Sequence, residues 1–245
     1  MEIFSTKQLT IKEVWVAALR LYGKTLPIIW PQAFAIGIIT MLTTWLNANS
    51  FCQLKISNIT PADIACYSVY VVLSLIMLYF AALLLYRMHV VGSSNITLRA
   101  SIIFVCKKYF TIVVSLLLVL LLCSLGLLAF ILPGFFLLIL FFMVQPLILF
   151  EDHKCFAALK GSCRLVWGNW WRTFAVFVPI LLLNYLLGFG ATMLADYLFF
   201  LLIGGLLFSV FVYPLFYACI LVQFDDLKLR RQVKVQATKG NNDLS

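Results

Sequence analysis

The chain has 245 residues, 64% of them hydrophobic and only 11% charged, with a formal net charge of +9. A water-soluble domain carries about 25% charged residues, so this composition excludes a polar-coated globule and requires lipid as most of the solvent. The positive balance is not a nucleic-acid-binding patch either, because the Lys and Arg residues are dispersed over loops and ends that flank apolar runs.

From the N-terminus, Ile11, Val14, Trp15, Ala18, Leu21 and Tyr22 follow helical spacing, with Thr10 and Glu13 placed for a capping box. An uncharged stretch follows and predicts a first span over 26–46, longer than the apolar core of a signal peptide. Thr60-Pro61-Ala62-Asp63 reads as an N-cap, a first-position proline and an early acid, opening a second span over 62–86. A weaker amphipathic segment over 97–108 leads into the longest uncharged run. That run is long enough for two crossings, over 109–131 and 134–150. Leu132-Pro133-Gly134 is expected to turn the chain between them, with Pro133 withholding a donor and Gly134 left-handed.

Next comes a basic segment in which Phe156, Leu159, Cys163, Val166, Trp167 and Trp170 form a stripe opposite Lys160 and Arg164. Spans five and six are expected over 173–194 and 197–224, the last capped by Asp196 and kinked at Pro214, as Pro146 kinks the fourth. Lys55 alone among the Lys and Arg residues falls on the side opposite the rest. The positive-inside rule therefore places both termini in the cytoplasm. The expected fold is an all-α membrane protein of six transmembrane helices in three hairpins, each preceded by a cytoplasmic interfacial amphipathic helix. Residues 1–228 form a single polytopic membrane domain, and 229–245 a basic, disordered cytoplasmic tail.

Chemistry is sparse. All nine acidic residues lie at membrane boundaries, in loops or in end segments, which leaves no mid-membrane proton relay. Two histidines without a carboxylate or cysteine cluster signal no metal, and His153 beside Cys155 is a weak basis for nucleophilic catalysis. The reading is therefore non-enzymatic, without a cofactor. Gln145 and Asn184 are expected to hydrogen-bond between helices or to line a substrate cavity. Ala33-x-x-x-Gly37 and Gly205-x-x-x-Ser209 allow close helix approach. Trp167, Trp170 and Trp171 fit an aromatic belt at headgroup depth. Alternatively, Arg164, Asn169, Trp170, Trp171 and Arg172 contact anionic lipid headgroups. Cys52 and Cys66 fall near the outer face and are either bridged or free.

Pro133-Gly134, Pro146-Leu147-Ile148-Leu149, Glu151-Asp152, Ser162, Arg164-Leu165 and Trp167-Gly168-Asn169 occur in the order found in one family. In this pattern the chain resembles the YciC family of bacterial inner-membrane proteins, and likewise the membrane portion of some glycerophosphodiester phosphodiesterases. The resemblance implies a multi-pass inner-membrane protein in envelope or membrane-lipid homeostasis, and no catalytic residues. Membrane lipids, membrane-protein partners or a second copy are the expected partners. A transporter or lipid-translocating protein for an apolar or zwitterionic substrate, using Asn184 and Gln145, is the alternative.

Overall fold

The computed structural model describes residues 8–48, 61–91, 97–193 and 198–242, whose regular structure is entirely helical. In chain order these are α1 (Ile11–Ala48), α2 (Pro61–Val91), α3 (Leu98–Ala129), α4 (Ile131–Phe141), α5 (Val144–Phe150), α6 (Cys155–Val166), α7 (Trp170–Met193) and α8 (Leu198–Asn242). A 3-10 turn over Trp167–Asn169 joins α6 to α7. Six stretches are long and apolar enough to cross a membrane: Ile11–Leu46, Asp63–Val90, Leu98–Leu128, Leu132–Phe150, Cys155–Leu186 and Leu202–Gln236. The expected number of spans is met, although several are longer than the uncharged runs alone suggest.

The capping box forms as expected. The Thr10 N–H donates to Glu13 Oε2 at 2.6 Å, and the Glu13 N–H donates to Thr10 Oγ1 at 3.4 Å. Beyond it, Val14, Ala18, Leu21, Thr25, Ile29, Ala33 and Ile36 are all fully buried and recur every three or four residues. This stripe runs unbroken past Gly23, Pro27 and Pro31, so the expected interfacial helix and first span are one continuous rod. Along it α1 makes its most extensive contact, with α8. Leu9 meets Asp226, and a Cβ on Gly37 would lie 3.2 Å from the Leu206 carbonyl, so the two helices run antiparallel. Ala33 and Gly37 thus serve packing within the bundle, whereas only Ser209 of the second small-residue pair is buried.

The second expected interfacial helix is likewise absorbed into a longer one. Thr97 caps α3, accepting the Ala100 N–H at 3.4 Å, and the helix continues to Ala129 with Ser101, Val105, Ile112 and Ser115 buried on one side. Only the third, α6, stands apart. Both corrections have one cause: an apolar stripe that keeps its register gives a helix no reason to stop.

Phe130, not Leu132-Pro133-Gly134, turns the chain, with an extended backbone (φ −163°, ψ 150°) between α3 and α4. Pro133 sits in the first turn of α4, where a missing N–H costs nothing. No described glycine has a positive φ. Gly134 instead lets α4 press against α3, since a Cβ on Gly126 would stand 3.0 Å from the Gly134 Cα.

The fourth span is broken rather than merely kinked. Pro146 has no N–H for the Phe142 carbonyl and crowds it, so α4 stops at Phe141 and α5 starts at Val144. Groups outside the segment satisfy the released carbonyls. Ser162 Oγ donates to the Leu140 carbonyl at 2.5 Å. Lys108 Nζ donates to the Ile148 and Leu149 carbonyls at 3.1 and 3.0 Å, at the helix end that favours a cation. The same ammonium pairs with Asp152 at 3.0 Å, and Asp152, at φ 58°, reverses the chain.

Pro214 lies inside an unbroken α8. That helix reaches Asn242, so the tail expected to be disordered is helical over 229–242. Lys, Arg and Gln are good helix formers, and Arg230 Nε pairs one turn back with Asp226 at 2.8 Å. The expected caps at Thr60 and Asp196, and Cys52, lie outside the described residues. Cys66 is disulfide-bonded.

Asp226 gathers three helices. Its buried carboxylate meets Arg172 at 3.0 Å and Arg230 at 2.8 Å, and it accepts the Leu9 N–H at 2.7 Å. The Leu9 carbonyl accepts from the same two guanidiniums, at 2.6 and 2.7 Å. Beside this node Gln223 Nε2 donates to Thr173 Oγ1 at 3.3 Å. Removing one partner leaves buried charges uncompensated, so Asp226→Ala is expected to cost about 3–5 kcal/mol. An unaltered unfolding midpoint for the purified variant in detergent would contradict the node's structural weight. Gly126→Leu is expected to prise α3 from α4 at a cost of about 1–3 kcal/mol, measurable in the same melt.

Candidate functional site

The 3-10 turn after α6 re-aims the chain so that residues 167–172 face the start of α4. Trp170 anchors the arrangement. Its ring stacks between Phe136 (centroids 5.1 Å apart) and Phe174 (5.3 Å), and its Nε1–H donates to the Phe136 carbonyl at 3.2 Å. Trp167 meets Phe136 edge-on at 5.7 Å, and Phe135 meets Phe174 at 5.6 Å. Edge-to-face and offset stacking are the favoured aromatic geometries. Together, Leu132, Pro133, Phe135, Phe136 and Leu137 on one side and residues 167–172 on the other enclose a groove of about 940 Å³. Its inner wall is fixed by Trp170, while Trp167 and Trp171 at the lips are 68% and 76% exposed.

Of the expected headgroup contacts, Asn169, Trp170, Trp171 and Arg172 line this groove, and Arg164 does not. Arg172 differs from the expectation of a free phosphate partner, because its charge is matched by Asp226 and its NH2 group is bonded to the Leu9 carbonyl. The stripe on α6 also differs. Leu159 and Val166 are buried, but Phe156 and Trp167 emerge on the exposed side with Lys160 and Arg164. The inward face carries Ala158, Gly161, Ser162 and Leu165, small or slender enough to lie against the broken α4–α5 segment; a second row of aromatics does not fit there. The outward side of the α6–α7 passage thus carries rings and cations in one row: Phe156, Lys160, Arg164, Trp167, Trp171.

Gln145 and Asn184 form no interhelical hydrogen bond among the described residues. Asn184 is exposed on α7 beside a small pocket of about 80 Å³ that does not include Gln145, and Gln145 Nε2 is buried without a partner. Polar matching between helices is carried by other groups. Tyr79 and Tyr109 hydroxyls donate to the Ile102 and Leu75 carbonyls at 3.2 and 2.5 Å. Gln32 accepts from Arg87 at 2.9 Å when its amide is oriented to donate to Ile29. The sequence marks these groups only faintly, since a tyrosine in an apolar run looks like packing until its hydroxyl finds a carbonyl. Among the described residues no cluster of three or more His, Cys, Asp or Glu is placed to hold a metal.

Compared with protein families, curated proteins and solved structures, the chain matches no family model, no curated protein and no solved structure.

Trp170→Phe keeps the ring stack and loses one hydrogen bond, and is expected to cost about 1 kcal/mol. Trp170→Ala removes the wall of the groove, at about 3–5 kcal/mol. Melting midpoints of the two variants in one detergent separate stacking from the hydrogen bond.

Proposed function

We propose that this is a multi-pass inner-membrane protein that binds phospholipid without transforming it, in the service of envelope or membrane-lipid homeostasis. The observation that carries this reading is the groove of about 940 Å³, opening beside a row of exposed cations. Its Trp and Phe walls suit an acyl chain. Arg164 stands one helical turn from the lip residue Trp167, and with Lys160 and the Asn169 amide it supplies donors for a phosphate. Indoles at such a boundary suit the headgroup layer.

Six spans with both termini cytoplasmic complete the proposal. Supporting the orientation, the disulfide-bonded Cys66 lies about 32 Å along α2 from Arg87. Such a bridge suits an oxidising environment at the end far from the cations. Of the residues that resemble the YciC family, Pro133 and Trp167-Gly168-Asn169 line the groove. The transport alternative has less support, because the pocket beside Asn184 does not include Gln145.

Lipid carried through detergent-free extraction into nanodiscs tests the proposal. Trp167→Ala with Trp171→Ala, and separately Lys160→Ala with Arg164→Ala, are expected to lower bound phosphatidylglycerol or cardiolipin severalfold. These side chains are exposed, so the melting midpoint should hold. Unaltered lipid content in both double variants would end the reading.

A further inference from the structure

A second cleft lies at the charged end of the bundle, away from the tryptophan groove, between the C-terminal part of α8, the reversal after α5, and α6. It encloses about 360 Å³, near the lower end of the range for small-ligand sites. Its floor is an ion pair. Glu151 Oε1 meets Lys228 Nζ at 2.8 Å, and Glu151 Oε2 faces His153 Nε2 at 3.8 Å. The one carboxylate that lines the cleft is therefore matched by Lys228. Acid in the same reversal is also spent, since Asp152 is held by Lys108.

What remains is a set of unused donors. Arg231, one turn beyond Lys228, lines the cleft with no carboxylate partner among the described residues. Gln232 and Gln236, also lining it, form no hydrogen bond among the described residues. His153 Nδ1 is buried with no hydrogen-bond partner. The ring lies against Gly161, where a Cβ would come within 3.3 Å of that nitrogen. Leu147, Leu165 and Val235 supply an apolar wall. A guanidinium, two amides and an imidazole around a site of net positive charge match an oxyanion with several acceptors, and the aliphatic wall matches a short carbon skeleton.

We infer that the cleft formed by Glu151, His153, Lys228, Arg231 and Gln232 is a binding site for a phosphate ester, with Arg231 as its anchoring cation. The same chemistry is offered by a soluble phosphate ester and by a phospholipid headgroup.

The chain's two histidines make selective labelling a direct probe. The full chain, with ¹⁵N-histidine, is titrated with glycerol 3-phosphate in neutral, phosphate-free detergent micelles. In parallel it is placed in phosphatidylcholine nanodiscs with and without phosphatidylglycerol. A saturable shift of His153 with glycerol 3-phosphate, weakened roughly tenfold or more by Arg231→Gln, supports the inference with a soluble ligand. A shift seen only with phosphatidylglycerol, and lost in Arg231→Gln, supports it with a headgroup. Gln232→Leu, a second exposed position, should weaken whichever response is found. An unmoved His153 in both arms, or a shift indifferent to both substitutions, overturns it.

Discussion

The buried Asp226 carboxylate is the contact on which the arrangement of the helices turns. Burying a charge is costly unless paired and hydrogen-bonded, and here two guanidiniums and a main-chain N–H meet it. Because Arg172 lies in the first turn of α7, Leu9 precedes α1, and Asp226 and Arg230 belong to α8, satisfying one acid ties three helices together. The Leu9 carbonyl closes the set by accepting from both arginines. The groove depends on this node indirectly: Arg172 is both a ligand of Asp226 and the last residue of the groove's lining. The residue that sequence reasoning assigns to a lipid phosphate is thus held inside the protein, whereas Lys160 and Arg164 are exposed.

A second constraint is the break at Pro146. One missing N–H splits a span, and the consequences spread through side chains that otherwise look unremarkable. Ser162 and Lys108 satisfy carbonyls released on either side of α5, and so fix α6 and α3 against it. Small residues on the inner face of α6 then allow close contact, which turns Phe156 and Trp167 outward beside the cations. The ring-and-cation row on that surface is in this sense a product of a proline some twenty residues away.

Much of the layout is legible in the letters. Uncharged runs mark six bilayer-length helices, and Thr10 with Glu13 marks where α1 begins. Less legible is where one helix ends and another starts. Val14, Ala18, Leu21 and Thr25 carry one stripe across the supposed boundary between interfacial helix and span, and periodicity contains no stop signal there. The reverse error occurs at 229–242, where a run of charges suggests disorder although its Leu, Arg, Gln, Lys and Ala residues are good helix formers. Half of the groove is readable as well. Tryptophan and arginine at a membrane edge announce themselves, but Phe135 and Phe136 belong to a uniformly apolar run, and only the fold singles them out. Arg172 and Asp226 lie too far apart in sequence for any local pattern to join them.

The length of α8 has a practical corollary. From Leu198 to Phe224 the helix already rises about 40 Å, more than the roughly 30 Å of hydrocarbon. Beyond Asp225 it continues to Asn242, with Leu227 still buried and Lys228, Arg231, Gln232, Val235 and Gln236 lining the second cleft. The two termini are consequently unequal as attachment points. A probe attached at Asn242 is carried about 24 Å along α8 from Asp226, whereas one attached at Gln8 sits against the arginines that grip Leu9.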